Sequence, residues 1–317
     1  MCKSDSANDH ELYMRRCLQL AAYGKGFVAP NPMVGAVVVH NQRIIGEGFH
    51  RRCGEAHAEV NAIGAVKNPE LLAQSTLYVN LEPCSHTGKT PPCTTLILEK
   101  KIPRVVIGQM DPFPKVAGRG IQILQKSGIE VITGMLKTEC EQLNKRFLTF
   151  HRECRPYIFL KWAQSADGFL DKVRTAGDGQ LPVRFSNDFT QIAVHKMRAE
   201  ETAIMVGSRT EILDRPQLNV RYWHGKNPQK IRPAGGIALA EQMHALYEQN
   251  IQSIVIEGGA QLLQSFINER LWDEIHVEIT PLQLREGVAV PTFTGTLENI
   301  QKCKKSVIFV YLNNFKP

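Results

Sequence analysis

His57-Ala58-Glu59, Pro83-Cys84 and Cys93 are the residues of this chain whose types and spacing could do chemistry together. One imidazole and two thiolates supply three ligands for a tetrahedral Zn²⁺. A fourth position left to water distinguishes a catalytic zinc site from a closed structural one. Glu59, two residues past the histidine, is placed to take a proton from that water and pass it on. Zinc brings the pKa of a bound water near neutrality, and such a nucleophile can attack the amino-bearing carbon of a heteroaromatic ring and release ammonia. A purely structural clamp would need a fourth protein ligand. Cys53 is the thiol nearest His57 in sequence, but a catalytic site keeps that place open, so the expectation is one zinc per chain on His57, Cys84 and Cys93.

These residues need elements to position them. Apolar residues recur at helical spacing over 11–23, and Gly35 to Val39 is a β-branched run that predicts a buried strand. A turn at 42–43 leads into a second strand over 44–49, giving a hairpin. The pattern predicts a helix over 56–66 with His57 and Glu59 in its first turn, a strand over 76–80, and a helix begun by Pro83-Cys84. Proline is favoured there because its missing N–H would be unpaired anyway. Strand 105–108, helix 120–127 and strand 130–133 follow, then a polar helical connector over 140–153. The order predicts a three-layer α/β/α sandwich over residues 1–150. A second alternating unit fills 151–317, with strands at 157–161, 203–206, 253–256, 274–279 and 307–312 and helices at 190–199 and 261–268.

The 317 residues suit two domains, and 43% hydrophobic content is enough for a core in each. No apolar run approaches the length of a membrane span, and residues 1–10 lack a signal-peptide pattern, so the expectation is a cytoplasmic protein that engages no membrane. The eight cysteines are scattered, as free thiols of a reducing compartment would be. The net charge of +7 comes from basic residues spread along the chain. With no basic run interleaved with aromatics, it fits small anionic substrates better than nucleic acid.

Pro30-Asn31-Pro32-Met33-Val34-Gly35, Gly54-Glu55-Ala56-His57-Ala58-Glu59, the stretch from Leu81 through Cys84 to Cys93, and Asp111-Pro112-Phe113-Pro114-Lys115-Val116-Ala117-Gly118 carry a resemblance. Over 10–150 the chain resembles the deaminase half of the bifunctional riboflavin-biosynthesis deaminase–reductases. The eight residues between Cys84 and Cys93 separate it from transfer-RNA adenosine deaminases, where two are usual. The resemblance implies a cytidine-deaminase-like fold and hydrolytic deamination of 2,5-diamino-6-(5-phosphoribosylamino)pyrimidin-4-one, a small phosphorylated pyrimidine. It places Asn31 and His86 at the pyrimidine and Lys115 at the phosphate. Read by themselves, Asn31 is a turn residue between prolines and Lys115 a solvated loop charge.

In the second half, Ile254 to Leu263 reads as a strand, a glycine pair and a helix start, a turn whose backbone N–H groups can hold a phosphate. The standard Gly-x-Gly-x-x-Gly fingerprint is absent. Leu160 to Gly168, Val206 to Thr210, Asp214 to Arg221 and Glu257-Gly258-Gly259 resemble the reductase half of the same family. That implies a dihydrofolate-reductase-like α/β domain that uses NADPH to reduce the ribosyl group to a ribityl chain. The resemblance implies substrate contacts at Arg198, Leu218, Arg221 and Glu257. It implies cofactor contacts at Gln164, Thr210, Asp214, Gly259, Ala260, Gln261, Leu262, Leu263, Gln264 and Ser265. A homo-oligomer is the expected assembly.

The chain departs from the family in two places. After Asn227-Pro228-Gln229-Lys230-Ile231-Arg232-Pro233 it lacks a stretch that relatives carry, so a strand beginning at Ile231 is cut short. The consequence expected is a shortened domain with an unpaired sheet edge, an incomplete core and a cofactor cleft lacking one wall. Residues 175–186 also differ, with Val183 at an aromatic position. The alternative reading is a deaminase alone, joined to an inactive or structural reductase-like module.

Overall fold

The computed structural model describes residues 7–85, 91–112, 117–177 and 179–314. The chain divides after Glu153 into two compact units.

The first unit contains α1 (Ala7–Ala22), β1 (Gly35–His40), β2 (Arg43–Phe49), α2 (Ala58–Gly64), β3 (Thr76–Leu81), α3 (Cys93–Glu99), β4 (Arg104–Gln109), α4 (Arg119–Lys126), β5 (Glu130–Thr133), α5 (Lys137–Leu143) and α6 (Lys145–Glu153). Among the described residues its five strands form one sheet in the order β2-β1-β3-β4-β5. The hairpin β1–β2 and the β1–β3 pair are antiparallel, and β3, β4 and β5 run parallel. Two apolar layers flank the sheet. Met14, Cys17 and Leu20 of α1 pack with Val37, Tyr78, Val106 and Cys140 on one face. Ala62 and Ile63 of α2, Ile97 of α3, and Ile121 and Leu124 of α4 pack with Val79 and Ile107 on the other. This is the α/β/α sandwich expected from the pattern.

Pro83-Cys84 does not begin a helix. Residues 82–85 are irregular, and the helix starts at Cys93 with Pro92 as its cap. The proline that pre-sets a helix start is therefore Pro92. His57 is likewise the cap of α2 rather than part of its first turn.

The seat of α2 is set by two glycines. A Cβ on Gly46 or Gly48 would collide with the backbone of Ala62, and at Gly48 it would also lie 2.7 Å from the Ala58 carbonyl. Only bare backbone at these positions lets α2 lie close enough to β2 to fix its N-terminal residues.

The second unit contains β6 (Tyr157–Gln164), β7 (Phe169–Asp171), α7 (Asp188–Glu200), β8 (Ala203–Met205), α8 (Ser208–Asp214), β9 (Gln229–Ile231), α9 (Leu239–Glu248), β10 (Ser253–Glu257), α10 (Ala260–Asn268), β11 (Glu274–Ile279), β12 (Val288–Ala289), β13 (Thr296–Cys303) and β14 (Ser306–Leu312). The described residues form a seven-stranded sheet ordered β13-β14-β11-β6-β10-β8-β9, with β7 and β12 paired apart from it. β11, β6, β10, β8 and β9 are parallel, and β14 and β13 add antiparallel. The domain start is tied down by a bidentate pair: Arg155 donates to both oxygens of Asp273 at 2.7 and 3.0 Å, and Asp273 also accepts from the Ile158 N–H at 2.7 Å.

Gly48→Val should destabilise the first unit by about 1–3 kcal/mol, the usual cost of overpacking, and more if the strand cannot yield. Because α2 carries two functional side chains, bound zinc per chain should fall in the same variant. Thermal melts with metal analysis measure both, and a stable variant with full zinc would contradict this account of α2.

Candidate functional site

His57, Cys84 and Cys93 come from three separate places: the cap of α2, the segment after β3 and the first turn of α3. Their ligand atoms all lie within 4.8 Å of one another. The His57 Nδ1 is 3.5 Å from the Cys84 Sγ and 3.3 Å from the Cys93 Sγ. Sulfur and nitrogen bound tetrahedrally to zinc at ~2.3 and ~2.05 Å sit about 3.5 Å apart, so the donor set fits that ion in both type and spacing. The described residues provide no fourth His, Cys, Asp or Glu to this group.

The electrostatics suit thiolate ligation. Cys84 is pushed down to about 4, first by its hydrogen bond with Cys93 and further by the His57 imidazole and the Cys93 N–H, which lies 3.3 Å from the sulfur. Cys93 is pushed upward, by Cys84 and by burial. Two thiols this close hold one proton between them. His57 is raised by its bond to Cys84. Glu59, in the first turn of α2, is 3% exposed, and burial raises its carboxyl above the usual range. Its carboxyl lies beside the Cys93 sulfur, so a proton-carrying group borders the ligand cluster.

Asn31 sits on a loop that two buried asparagines hold. Asn144 accepts from the Met33 N–H at 2.8 Å and donates back to the Met33 carbonyl at 3.0 Å. Asn80 accepts from Gly35 and donates to the same Met33 carbonyl. The Asn31 amide nitrogen lies 3.0 Å from the His50 Nε2, and the His50 Nδ1 lies 3.1 Å from the Ala56 carbonyl. The carbonyl can only accept, so Nδ1 carries the proton and Nε2 accepts from Asn31. His50 is 3% exposed, stands edge-on to the His57 ring, and is lowered chiefly by burial. The sequence reading missed His50; its spacing of seven residues before His57 was the available signal. His86 and Lys115 lie outside the described residues.

The second unit holds a cavity of about 640 Å³. It opens at the carboxyl ends of β8 and β10, where parallel α/β sheets bind ligands. Arg198, Leu218 and Glu257 line it, as do Thr210 and Asp214 of α8. Gly259, Ala260, Gln261, Leu262 and Ser265 form the turn and helix start on its wall. Gly258 and Gly259 have φ of +88° and +83°, and a Cβ on Gly259 would lie 3.2 Å from the Thr210 hydroxyl. Glycine is required there both for conformation and for the approach of α8.

Four expected contacts are not on this wall. Leu263 is fully buried in the core. Gln264 bonds the Thr292 backbone instead. Gln164 accepts from the Trp162 indole at 2.8 Å. Arg221 is exposed, with its guanidinium on the Asn219 side chain and over the Tyr222 ring. Helical periodicity accounts for Leu263 and Gln264, since consecutive residues of α10 cannot all face one cavity.

Glu257 and Arg198 form a bidentate pair at 2.8 and 2.6 Å. Burial raises the Glu257 carboxyl, but the Arg198 guanidinium outweighs it and holds the group below its ordinary value. Sequence reading also missed Asp171 and Arg174, which line the cavity.

A zinc-ligand cluster with a buried carboxylate in one unit, and a phosphate-sized glycine turn on a large cleft in the other, define a deaminase joined to a nucleotide-cofactor reductase. Comparison with known proteins agrees. Residues 7–109 match the cytidine and deoxycytidylate deaminase zinc-binding region. Residues 156–235 and 231–310 match the RibD C-terminal domain in two pieces that overlap at 231–235. The riboflavin biosynthesis protein RibD of Aquifex aeolicus is 35% identical over 322 residues, 88% of each chain. That of Haemophilus influenzae is 40% identical over 330 residues, 87% of each. A Thermotoga maritima structure, described as a diaminohydroxyphosphoribosylaminopyrimidine deaminase/5-amino-6-(5-phosphoribosylamino)uracil reductase, superposes with a TM-score of 0.87 at 31% identity, over 97% of this chain and 99% of its own. Acinetobacter baumannii RibD gives 0.87 at 28% identity and the same coverage. The chain belongs to the RibD family. It is a bifunctional deaminase–reductase of riboflavin biosynthesis that uses zinc and NADPH and acts on a small phosphorylated pyrimidine. An inert second module finds no support, since both halves match the family.

A carboxylate held below its unfolded pKa stabilises the fold fully above the ordinary range, roughly pH 4.3, and less as pH falls through the folded value. Glu257→Gln should therefore destabilise the second unit by about 3–5 kcal/mol at neutral pH, because Arg198 is left buried and unpaired. The gap from the unaltered protein should narrow in acid. Denaturant melts across pH measure it, and a gap that widens in acid would contradict the pairing.

Proposed function

We propose that the first unit converts 2,5-diamino-6-(5-phosphoribosylamino)pyrimidin-4-one to its deaminated product, and that the second unit then reduces the ribosyl group to ribityl. The arrangement of His57, Cys84 and Cys93 with Glu59 buried beside them supports the first step most directly. Those three residues would hold the zinc, which supplies an acidified water and polarisation of the reacting carbon. Glu59 takes the proton from the nucleophile and delivers it to the departing nitrogen. Its raised pKa suits that exchange, because a group that both accepts and gives a proton works best near the ambient pH. Asn31, held by His50 and by the Asn80 and Asn144 bonds to its loop, orients the pyrimidine. By family resemblance His86 also contacts the pyrimidine and Lys115 the phosphate.

In the second unit, NADPH supplies a hydride. The Gly258-Gly259 turn and the start of α10 receive its phosphates, and Thr210 and Asp214 border the same cleft. Arg198, Leu218 and Glu257 face the substrate side of that cleft. The family assigns Arg221 to the substrate as well. Its exposed side chain could reach a phosphate at the rim, since a guanidinium grips phosphate with two bonds. Within the same reading the enzyme works in the cytoplasm as a homo-oligomer; outward-facing Leu297 and Ile300 on the edge strand β13 favour self-association. No helix among the described residues is long and apolar enough to cross a membrane.

Glu59→Gln should keep one zinc per chain and lose about 10²–10⁴-fold in deamination rate, because it removes a proton carrier and no ligand. Cys84→Ala and Cys93→Ala should lose both metal and activity. Metal analysis beside an ammonia-release assay separates these outcomes, and zinc loss in Glu59→Gln would sink the assignment. The phosphorylated ribosylaminopyrimidine should exceed free cytidine by about 10²-fold or more in kcat/KM, since binding of the remote phosphate is spent on the reacting centre. Equal rates would reject the proposed substrate.

A further inference from the structure

The cavity of the second unit is bordered by a buried arginine that neither the sequence nor the family assignment singles out. Arg174 follows β7, and its side chain is 5% exposed although it carries a full charge. Its Nε donates to an Asp171 oxygen at 2.7 Å, and its Nη2 pairs with Asp214 at 2.5 Å. Among the described residues its Nη1 has no acceptor, and the residue lines the cavity. Burial opposes the charge on Arg174, and Asp214 and then Asp171 outweigh that penalty.

The three residues join two segments. Asp214 ends α8, the helix that also carries Thr210. Asp171 ends β7, and the chain beyond it carries Lys172 and Arg174 and later Pro182 and Val183. The loop is closed at its far end too: the Val183 N–H donates to the same Asp171 carboxylate at 3.0 Å, and the Lys172 N–H does so at 2.8 Å. From α8, Arg209 reaches back to the Arg174 carbonyl at 3.0 Å. Asp171, Lys172, Pro182 and Val183 from the loop, together with Leu213 and Asp214 from α8, all face the cavity. From the segment just past β9, Pro233 alone lies on the cavity wall.

The geometry points to Arg174 as a cofactor-positioning residue: by clamping Asp171 to Asp214 it fixes the segment that follows β7 on α8 and so supplies a wall of the NADPH cleft. This rests on the reading of the cavity as the NADPH site. Asp214 then acts on the cofactor through a fixed partner rather than as a free acceptor. Releasing the clamp lets the loop leave α8. Only the fraction of molecules with the wall in place binds, and the apparent Kd rises by the inverse of that fraction. Once NADPH is bound the reacting atoms are unchanged, because Arg174 touches neither of them.

The test is direct NADPH binding to the whole protein, followed by nicotinamide fluorescence, for Arg174→Ala, Arg174→Lys and Asp171→Asn. If a tenth of the molecules keep the wall, Kd should rise about tenfold in Arg174→Ala. Arg174→Lys should recover only part, since a single ammonium cannot serve two carboxylates as a planar fork does. In steady-state reduction KM for NADPH should rise with Kd, with kcat at saturation nearly unchanged. Deamination by the first unit should be unaffected in every variant. A Kd within about twofold of the unaltered protein in Arg174→Ala would overturn the clamp, as would a fall in kcat with unchanged KM. Should Arg174→Ala fail to fold, Asp171→Asn carries the same test: it keeps an acceptor for Val183 but drops the charge Arg174 needs, and unchanged binding there also overturns the proposal. If the unaltered protein itself does not bind NADPH, the cavity assignment fails rather than the clamp.

Discussion

Two thiols and an imidazole held within bonding distance of one another form an unstable grouping unless something positively charged is shared among them. The first unit is organised around paying that cost. Its sheet brings the end of β3 next to the starts of α2 and α3. The Cys93 N–H donates to the Cys84 sulfur, and the Thr94 N–H to the Cys84 carbonyl, so the start of α3 is locked to the segment that carries the other ligand. Glycines 46 and 48 set the depth of α2, and with it the reach of His57 and Glu59. Buried Glu82, two residues before Cys84, accepts backbone N–H groups from Gly118 and Gly120 at 2.9 Å each, which ties the start of α4 to the same edge. Each restraint is a bond to backbone or a steric limit. Buried and short-ranged, such restraints hold a site to within a few tenths of an ångström.

The second unit solves a different problem with different means. A dinucleotide is large and anionic, so its cleft must be wide and must carry cations without collapsing on them. Arg198 is neutralised by Glu257 and Arg174 by Asp171 and Asp214, all in the cavity wall. Buried pairs of this kind add little net stability, because desolvation consumes most of the attraction, but breaking one strands a charge. They therefore fix geometry more than they add stability. Under the proposed reading the backbone turn at Gly258-Gly259 receives the phosphates, so the paired arginines need not be released to bind the cofactor.

The parts of this architecture that sequence made legible are those governed by local rules. The β-branched runs at 35–39 and 105–107 became β1 and β4, and the alternation of elements gave the layers correctly. His57, Cys84 and Cys93 were readable because metal ligation restricts residue type and order. What escaped depended on partners distant in the chain. Arg174 looks like an ordinary loop charge until Asp214 is brought to it, 40 residues away. His50 gains its meaning from Asn31, 19 residues earlier. The helix expected at Pro83 begins instead at Cys93 behind Pro92, where bonds from the Cys93 and Thr94 N–H groups to Cys84 hold its start. In the run from Gly259 to Ser265 the assigned contacts ignored helical periodicity, which sends Leu263 inward.

The edge at β9 shows how a sheet can end in a short strand. Among the described residues, β9 ends the sheet with a partner on one side only. The hazard of such an edge scales with its length and flatness. Here it is three residues long and carries Lys230, with Arg232 and Pro233 immediately after. A short, basic strand closed by proline offers an incoming strand little to pair with, so the edge is protected by its own chemistry. The core is not left open either. Ile231 packs against the cluster containing Met205, Met243 and Ile256, and the Gln242 side chain accepts from the Ala234 N–H and donates to the Arg232 carbonyl, holding the connection onto α9. Those two bonds pair backbone groups just past the edge strand, so that stretch of chain is not left unsatisfied.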